Sequence, residues 1–421
     1  MKILEYNSAS REKLLKRLEG AAFPPEKVAA AREIVEEVRR RGDAALREFT
    51  RKFDGVKLKS FAVSPAEIRR SRKGVTPELR AAMRRAEKNI TDYYRPTRDE
   101  SWRRGRGDGL EWGEKVTPMG SAGIYVPGGK APLVSTVLMT AVPARLAGVE
   151  RIVIVTPPGK DGSVNPFVLA AADFLGIGEI YKVGGAQAVA ALAFGTRTIP
   201  KVDMIAGPGN IYVTLAKKEV FGTVGIDSLA GPSEVAILAD GKAPARFIAA
   251  DLLAQAEHGP GGAAILVSAS KRLIGAVKAE LKNLASRPAE GEIFLVRVRS
   301  LREGIDLVNR IAPEHLEVMT ERPEAAVEKI ENAGAIFIGE MSPVAAGDYV
   351  AGPSHVLPTG GAARFSSPLT VNDFLKKSSL IRYDRRALKK DFPALEILAG
   401  LEGLDNHLRS VRVRLEGKTF K

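Results

Sequence analysis

From about residue 120 the chain repeats one texture: a short apolar run, a glycine-bearing turn, then apolar residues spaced three and four apart. Runs at 123–126, 151–155, 179–183 and 203–206 alternate with predicted helices over 134–147, 165–175, 185–194 and 209–220. A strand apolar on both faces must be covered on both, and the intervening helices supply that cover. The pattern therefore predicts a parallel sheet with crossover helices. The series then begins again, with runs at 235–239, 264–267, 293–296 and 335–338 and predicted helices over 243–257, 270–285 and 301–311.

The expected fold class is α/β: two Rossmann-like α/β domains in tandem, with smaller helical N-terminal and C-terminal segments. The 421 residues divide as 1–110, 111–232, 233–365 and 366–421. Residues 24–55 and 76–94 show helical spacing, with Pro24-Pro25 and Thr76-Pro77 as start signals and Asp54-Gly55 as the stop of the first. From about Leu369 the chain again reads as helical and ends in a basic stretch over 412–421. Residues 1–110 hold 28 Lys and Arg against 17 Asp and Glu, most of the net charge of +14. In 29–41 these charges alternate in sign along an amphipathic helix, which favours a solvated helical face over a nucleic-acid surface. No apolar run is long enough to span a bilayer, and the N-terminus lacks the apolar core of a secretory signal. The expectation is a cytoplasmic protein without nucleic-acid or membrane partners.

The chain has no cysteine and four histidines, His258, His315, His355 and His407. Any metal must therefore use nitrogen and oxygen ligands, and no thioester can form. Glycine turns recur at 127–130, 183–187, 206–210 and 230–234, each placed after a predicted strand. At such turns the backbone can approach a ligand and helix N-termini face anions. No GxGxxG fingerprint follows a strand, and no Walker loop is present, since Arg412 stands where Gly417-Lys418-Thr419 would need its first glycine.

Four polar clusters stand out. Gln255 and His258 are three apart at the end of a predicted helix and project from one face, where they could share one ion or simply cap the helix. Glu314 and His315 adjoin after Pro313; they can serve one site only if they lie in the turn before the next strand, and such a pair offers two protonation tasks. Asp348 and His355 fall in a glycine-rich irregular segment, and Glu402 and His407 in the helical tail.

In order along the chain, the Gly-Gly-Ala-Gln, Gly-Pro-Gly-Asn, Ala-Gly-Pro-Ser-Glu, Gln-Ala-Glu-His-Gly-Pro, Ala-Pro-Glu-His and Gly-Asp-Tyr motifs, with the Glu402 to His407 spacing, closely resemble the histidinol dehydrogenase family. The resemblance spans nearly the whole chain and implies oxidation of L-histidinol through L-histidinal to L-histidine. It implies two NAD reduced, one zinc per subunit, and homodimers with shared active sites. By the same resemblance, 111–232 binds NAD through Tyr125, Gln187 and Asn210. Residues 233–365 carry the zinc and catalytic residues, and 366–421 contributes to the partner's site. Gln255, His258, Asp348 and His407 look like the zinc ligands, with His407 supplied by the partner subunit. Glu314 and His315 look catalytic, and Ser233, Gln255, His258, His315, Asp348, Glu402 and His407 look like the histidinol site. His355 stays outside the zinc set. Without a cysteine to form a thiohemiacetal, the second hydride is expected from the hydrated aldehyde, with Glu314 assisting water and His315 taking the hydroxyl proton. An NAD-independent zinc hydrolase is disfavoured, because the chain has no His-Glu-x-x-His motif and that reading leaves the glycine turns unexplained.

Overall fold

The computed structural model describes residues 2–5, 12, 14–16, 23–128, 133–257, 259, 261–286 and 290–417. They separate into two compact units, Met1–Thr97 with Met119–Phe374, and Arg98–Pro118 with Leu375–Lys421.

The larger unit is built on two parallel sheets. It opens with strand β1 (Lys2–Glu5) and a helical segment: α1 (Pro25–Arg41), α2 (Asp43–Phe49), a π-helical turn over Thr50–Asp54, α3 (Pro65–Ser71) and α4 (Pro77–Tyr94). The helix expected over 24–55 is broken at Gly42, whose φ of 53° and ψ of −128° leave the helical region. It ends in the π turn, stopped by Gly55 at φ 74°. Ile34, Val35 and Val38 of α1 join the core of the first sheet, while Arg40 and Arg41 pair with Glu37 outside. The basic segment thus has one apolar face in the core and one ion-paired face in solvent.

After β2 (Trp102–Gly105) and β3 (Leu110–Pro118), which belong to the other unit, come β4 (Ser121–Tyr125), α5 (Val134–Ala147), β5 (Arg151–Thr156), α6 (Pro166–Phe174), β6 (Glu179–Lys182), α7 (Gly185–Phe194), β7 (Met204–Ala206), α8 (Ile211–Val220) and β8 (Gly225–Ile226). The first sheet has the order β6-β5-β4-β7-β8, and its paired strands run parallel. Next come β9 (Glu234–Ala239), α9 (Ala245–Ala256), β10 (Ala263–Ser268), α10 (Lys271–Leu284), β11 (Glu292–Arg297), α11 (Leu301–Ile311), β12 (His315–Met319), α12 (Pro323–Val327), β13 (Ala335–Ile338) and α13 (Val344–Tyr349). These give a second parallel sheet ordered β1-β11-β10-β9-β12-β13. Both faces of its central strands are apolar and covered, as the continuous runs required. Four-residue β1 adds an edge strand where only helix was expected, because so short a segment carries no readable period.

The smaller unit is an antiparallel sheet, β14-β3-β2, with β14 spanning Leu375–Tyr383, followed by α14 (Arg385–Leu401) and α15 (Asp405–Glu416). Here the helical expectation from Leu369 needs correction. Of β14 only Leu375 is buried, so the strand shows no alternation, and nine register pairs with β3 hold it instead.

Candidate active site

The first sheet's carboxyl edge opens into a crevice of about 1050 Å³ lined by Tyr125, Gln187 and Asn210. Three helices start there: α6 capped by Asn165, α7 behind Gly184, and α8 capped by Asn210, whose Oδ1 accepts from Tyr212 N at 3.0 Å and Val213 N at 3.2 Å. Their free N–H groups give the edge a positive character suited to anions. The Tyr125 hydroxyl accepts from Gly185 N at 3.0 Å, bracing the start of α7 from beneath. Gly207 is required by packing: its φ is 120°, and a Cβ there would lie 2.2 Å from Tyr125 O. Asp54, delivered by the π turn, also lines the crevice; burial pushes its carboxyl up to about 6, and its Oδ2 receives no hydrogen bond.

The segment after β8 runs from this edge to the amino edge of the second sheet. A buried Lys217–Asp227 ion pair at 2.6 Å anchors its start. At its end Ser233 precedes β9, beside the turn that leads into β12. The turn is forced by Ala312 at φ 48° followed by Pro313, and it puts Glu314 just before the strand and His315 at its first residue. Both side chains therefore serve one place.

There the groups interlock. Glu234 N donates to Glu314 Oε2 at 3.1 Å, and Glu314 N donates to Glu234 Oε1 at 3.2 Å. Ser233 Oγ also donates to Glu314 Oε2, and Gly360 N to Glu234 Oε1 at 2.8 Å. His315 Nδ1 lies 3.4 Å from Glu234 O and 3.5 Å from Glu314 Oε2, while Nε2 lies 3.6 Å from Asp348 Oδ1 on α13.

Three carboxyls around one imidazole in a dry setting must share protons. Burial and the neighbouring Glu314 push Glu234 up to about 8. Burial also raises Glu314, against the pull of His315 and Ser233. Burial alone would lower His315, but the charges of Glu314 and Asp348 outweigh it and lift the imidazole to about 9. A second carboxyl pair, buried Glu317 with half-buried Asp251, lies one step further along β12. Sequence reasoning missed Glu234, Asp251, Glu317 and Asp54. Glu234 ends the quoted Ala-Gly-Pro-Ser-Glu motif but was given no role, and the others sit inside helical or apolar runs that look like plain core.

The structure thus brings Ser233, Glu314, His315 and Asp348 together. Gln255 is buried near the end of α9, with its amide Nε2 unpartnered. His258 lies outside the described residues. Glu402 and His407 belong to the smaller unit and are exposed. Among the described residues no three His, Asp or Glu side chains form a metal cage. The expected zinc donors are nitrogen and oxygen groups, which suit that ion, and no bond to the buried Gln255 Nε2 stops that amide from turning its oxygen to a cation. His355 adjoins buried Ser354, whose N–H bonds Tyr94 Oη at 2.8 Å and whose Oγ bonds Met139 O at 3.2 Å, a structural join of α4 to α5.

Parallel sheets that present an anion-favouring crevice and a buried proton-handling cluster define an α/β fold with the makings of an enzyme site. A family model described as histidinol dehydrogenase matches residues 23–415. The chain belongs to the histidinol dehydrogenase family. It is 54% identical over 397 residues to the histidinol dehydrogenase of Synechococcus sp., covering 92% of each chain. It is 48% identical over 423 residues to that of Bacillus subtilis, covering 98% and 99%. The crystal structure of histidinol dehydrogenase from Elizabethkingia anophelis superposes with a TM-score of 0.93 at 36% identity, over 99% of this chain and 98% of that one. An acetylating aldehyde dehydrogenase from Geobacillus thermoglucosidasius, at TM-score 0.50 and 14% identity over 89% and 96%, shares the fold alone.

Proposed function

We propose that the protein oxidises L-histidinol through L-histidinal to L-histidine in the cytoplasm, reducing two NAD and using one zinc per subunit. The observation that carries this reading is the Glu314–His315 pair, buried at the head of β12, held by Ser233 and faced by Asp348. It offers an acid–base couple out of water, as alcohol oxidation followed by hydration requires.

In the first half His315 takes the hydroxyl proton of histidinol as hydride leaves the same carbon for NAD. Glu314 then takes a proton from water as it adds to the aldehyde carbon. His315 removes a hydroxyl proton from the hydrate as the second hydride leaves for a second NAD. One water is consumed and the carboxylate, two NADH and three protons are released. Gln255, His258, Asp348 and the partner subunit's His407 would hold zinc, whose charge orients the substrate's donors and favours the neutral form of the nearby imidazole. Tyr125, Gln187 and Asn210 would hold NAD, and Ser233, Glu402 and His407 would help line the substrate site. Ile381, Ile397, Leu398 and Leu401 of the smaller unit are 63–82% exposed, apolar surface that supports a homodimer.

The test is a count of NADH formed per histidinol consumed, before and after chelation and with zinc restored. About two, lost and regained with the metal, is the expected result. A value of about one would mean that the reaction stops at the aldehyde, and no turnover by zinc-loaded protein would reject the proposal.

A further inference from the structure

Glu317 is fully buried on β12, two residues after His315 and on the same face of the strand. Its Oε1 accepts from Val344 N, the first residue of α13, at 3.0 Å. Its carboxyl also faces that of Asp251 on α9, and its Oε2 receives no hydrogen bond. Asp251 lies one turn before Gln255 on α9, and Asp348 lies one turn after Val344 on α13. One carboxyl pair therefore touches all three elements that present Gln255, His315 and Asp348, each time a single structural repeat away from the presented side chain.

Helix α13 makes this contact consequential. It is six residues long and none of them is fully buried, so packing alone holds it weakly. Glu317 is fully buried and Asp251 half-buried, so the two facing carboxyls disfavour a second charge, and a proton held between them would tie α9 to β12. We propose that the Asp251–Glu317 pair is a clamp that positions Gln255, His315 and Asp348 relative to one another. Its consequence for zinc rests on the ligand set proposed above, whereas its hold on α13 does not.

The experiment compares Glu317→Gln with Glu317→Leu. A glutamine keeps the acceptor for Val344 and offers an amide to Asp251; leucine fills similar space without either bond. Amide exchange over 344–349 and zinc affinity by chelator competition are read on metal-free protein. The expected result is parental behaviour in Glu317→Gln. In Glu317→Leu, exchange over 344–349 rises at least about tenfold and zinc binding weakens by about 10–100-fold. If Glu317→Leu does not fold, Asp251→Leu, which leaves the Val344 bond in place, carries the zinc measurement with the same expected loss. Parental exchange and parental zinc affinity in a folded leucine variant would overturn the clamp. Gln255→Ala separates the two readings. If it leaves zinc binding unchanged while Glu317→Leu still loosens 344–349, the ligand set is wrong and the clamp stands. If it weakens zinc and neither leucine variant does, the clamp is wrong.

Discussion

At the carboxyl edge of the first sheet, α6, α7 and α8 begin, whereas at the amino edge of the second, α9 ends. Helix starts carry partial positive charge and helix ends partial negative charge, so the two edges are complementary to ligands of opposite sign. A dinucleotide's phosphates suit the first, and a metal ion or an imidazolium suits the second. Ligands of open α/β sheets usually sit at carboxyl edges. Here the chain after β8 links a carboxyl edge to an amino edge, and the two kinds of site can meet across that link.

If the edges are separate in function, damage to one should spare the other. The largest effect is expected from His315→Asn, which should lower kcat for histidinol and for histidinal by about 10²–10⁴-fold while NAD affinity stays parental. Because His315 sits at about 9 in the metal-free protein, it is protonated below that pH and cannot accept a proton. Activity should therefore rise with pH, and a bound zinc should move the midpoint below 9. Glu314→Gln should slow the histidinal step by about 10²-fold and the histidinol step much less, in single-turnover assays. Equal slowing would remove Glu314 from the hydration step. On the other edge, Gln187→Ala should raise KM for NAD about tenfold with zinc content unchanged; zinc loss in that variant would break the comparison.

The difference between the edges also decides what could be read in advance. The parallel sheets were legible because fully covered strands leave apolar runs, and the glycine turns marked the crevice because backbone approach needs glycine. The proposed catalytic pair was visible as Glu314 and His315, yet its location at an amino edge was not. That location depends on α9 returning antiparallel to the strands and on Ala312 reversing the chain, and neither leaves a periodic trace. Glu317 and Asp251 were hidden for the same reason: a single carboxyl within an apolar strand or helix reads as noise until its partner on the neighbouring element is known. Strand β14 escaped because eight of its nine residues are not buried, which erases the alternation.

The smallest effect concerns Asp54, which tests how far the positive field of the first edge extends. Helix starts would lower a nearby carboxyl, yet burial pushes Asp54 up to about 6 from an ordinary 3.8. Desolvation therefore outweighs the helix field at this position. An acid whose folded value is raised costs nothing below about 3.8. Its penalty grows as pH climbs toward 6 and is complete above that, so Asp54→Asn should leave stability unchanged at pH 4 and raise it at pH 8. The shift would correspond to about 3 kcal/mol for an isolated group, and partial exposure reduces the expectation to about 1 kcal/mol. Denaturant midpoints of NAD-free protein at the two pH values measure the difference directly. An equal or smaller midpoint for the asparagine variant at pH 8 would mean that the helix starts, and not burial, govern this edge.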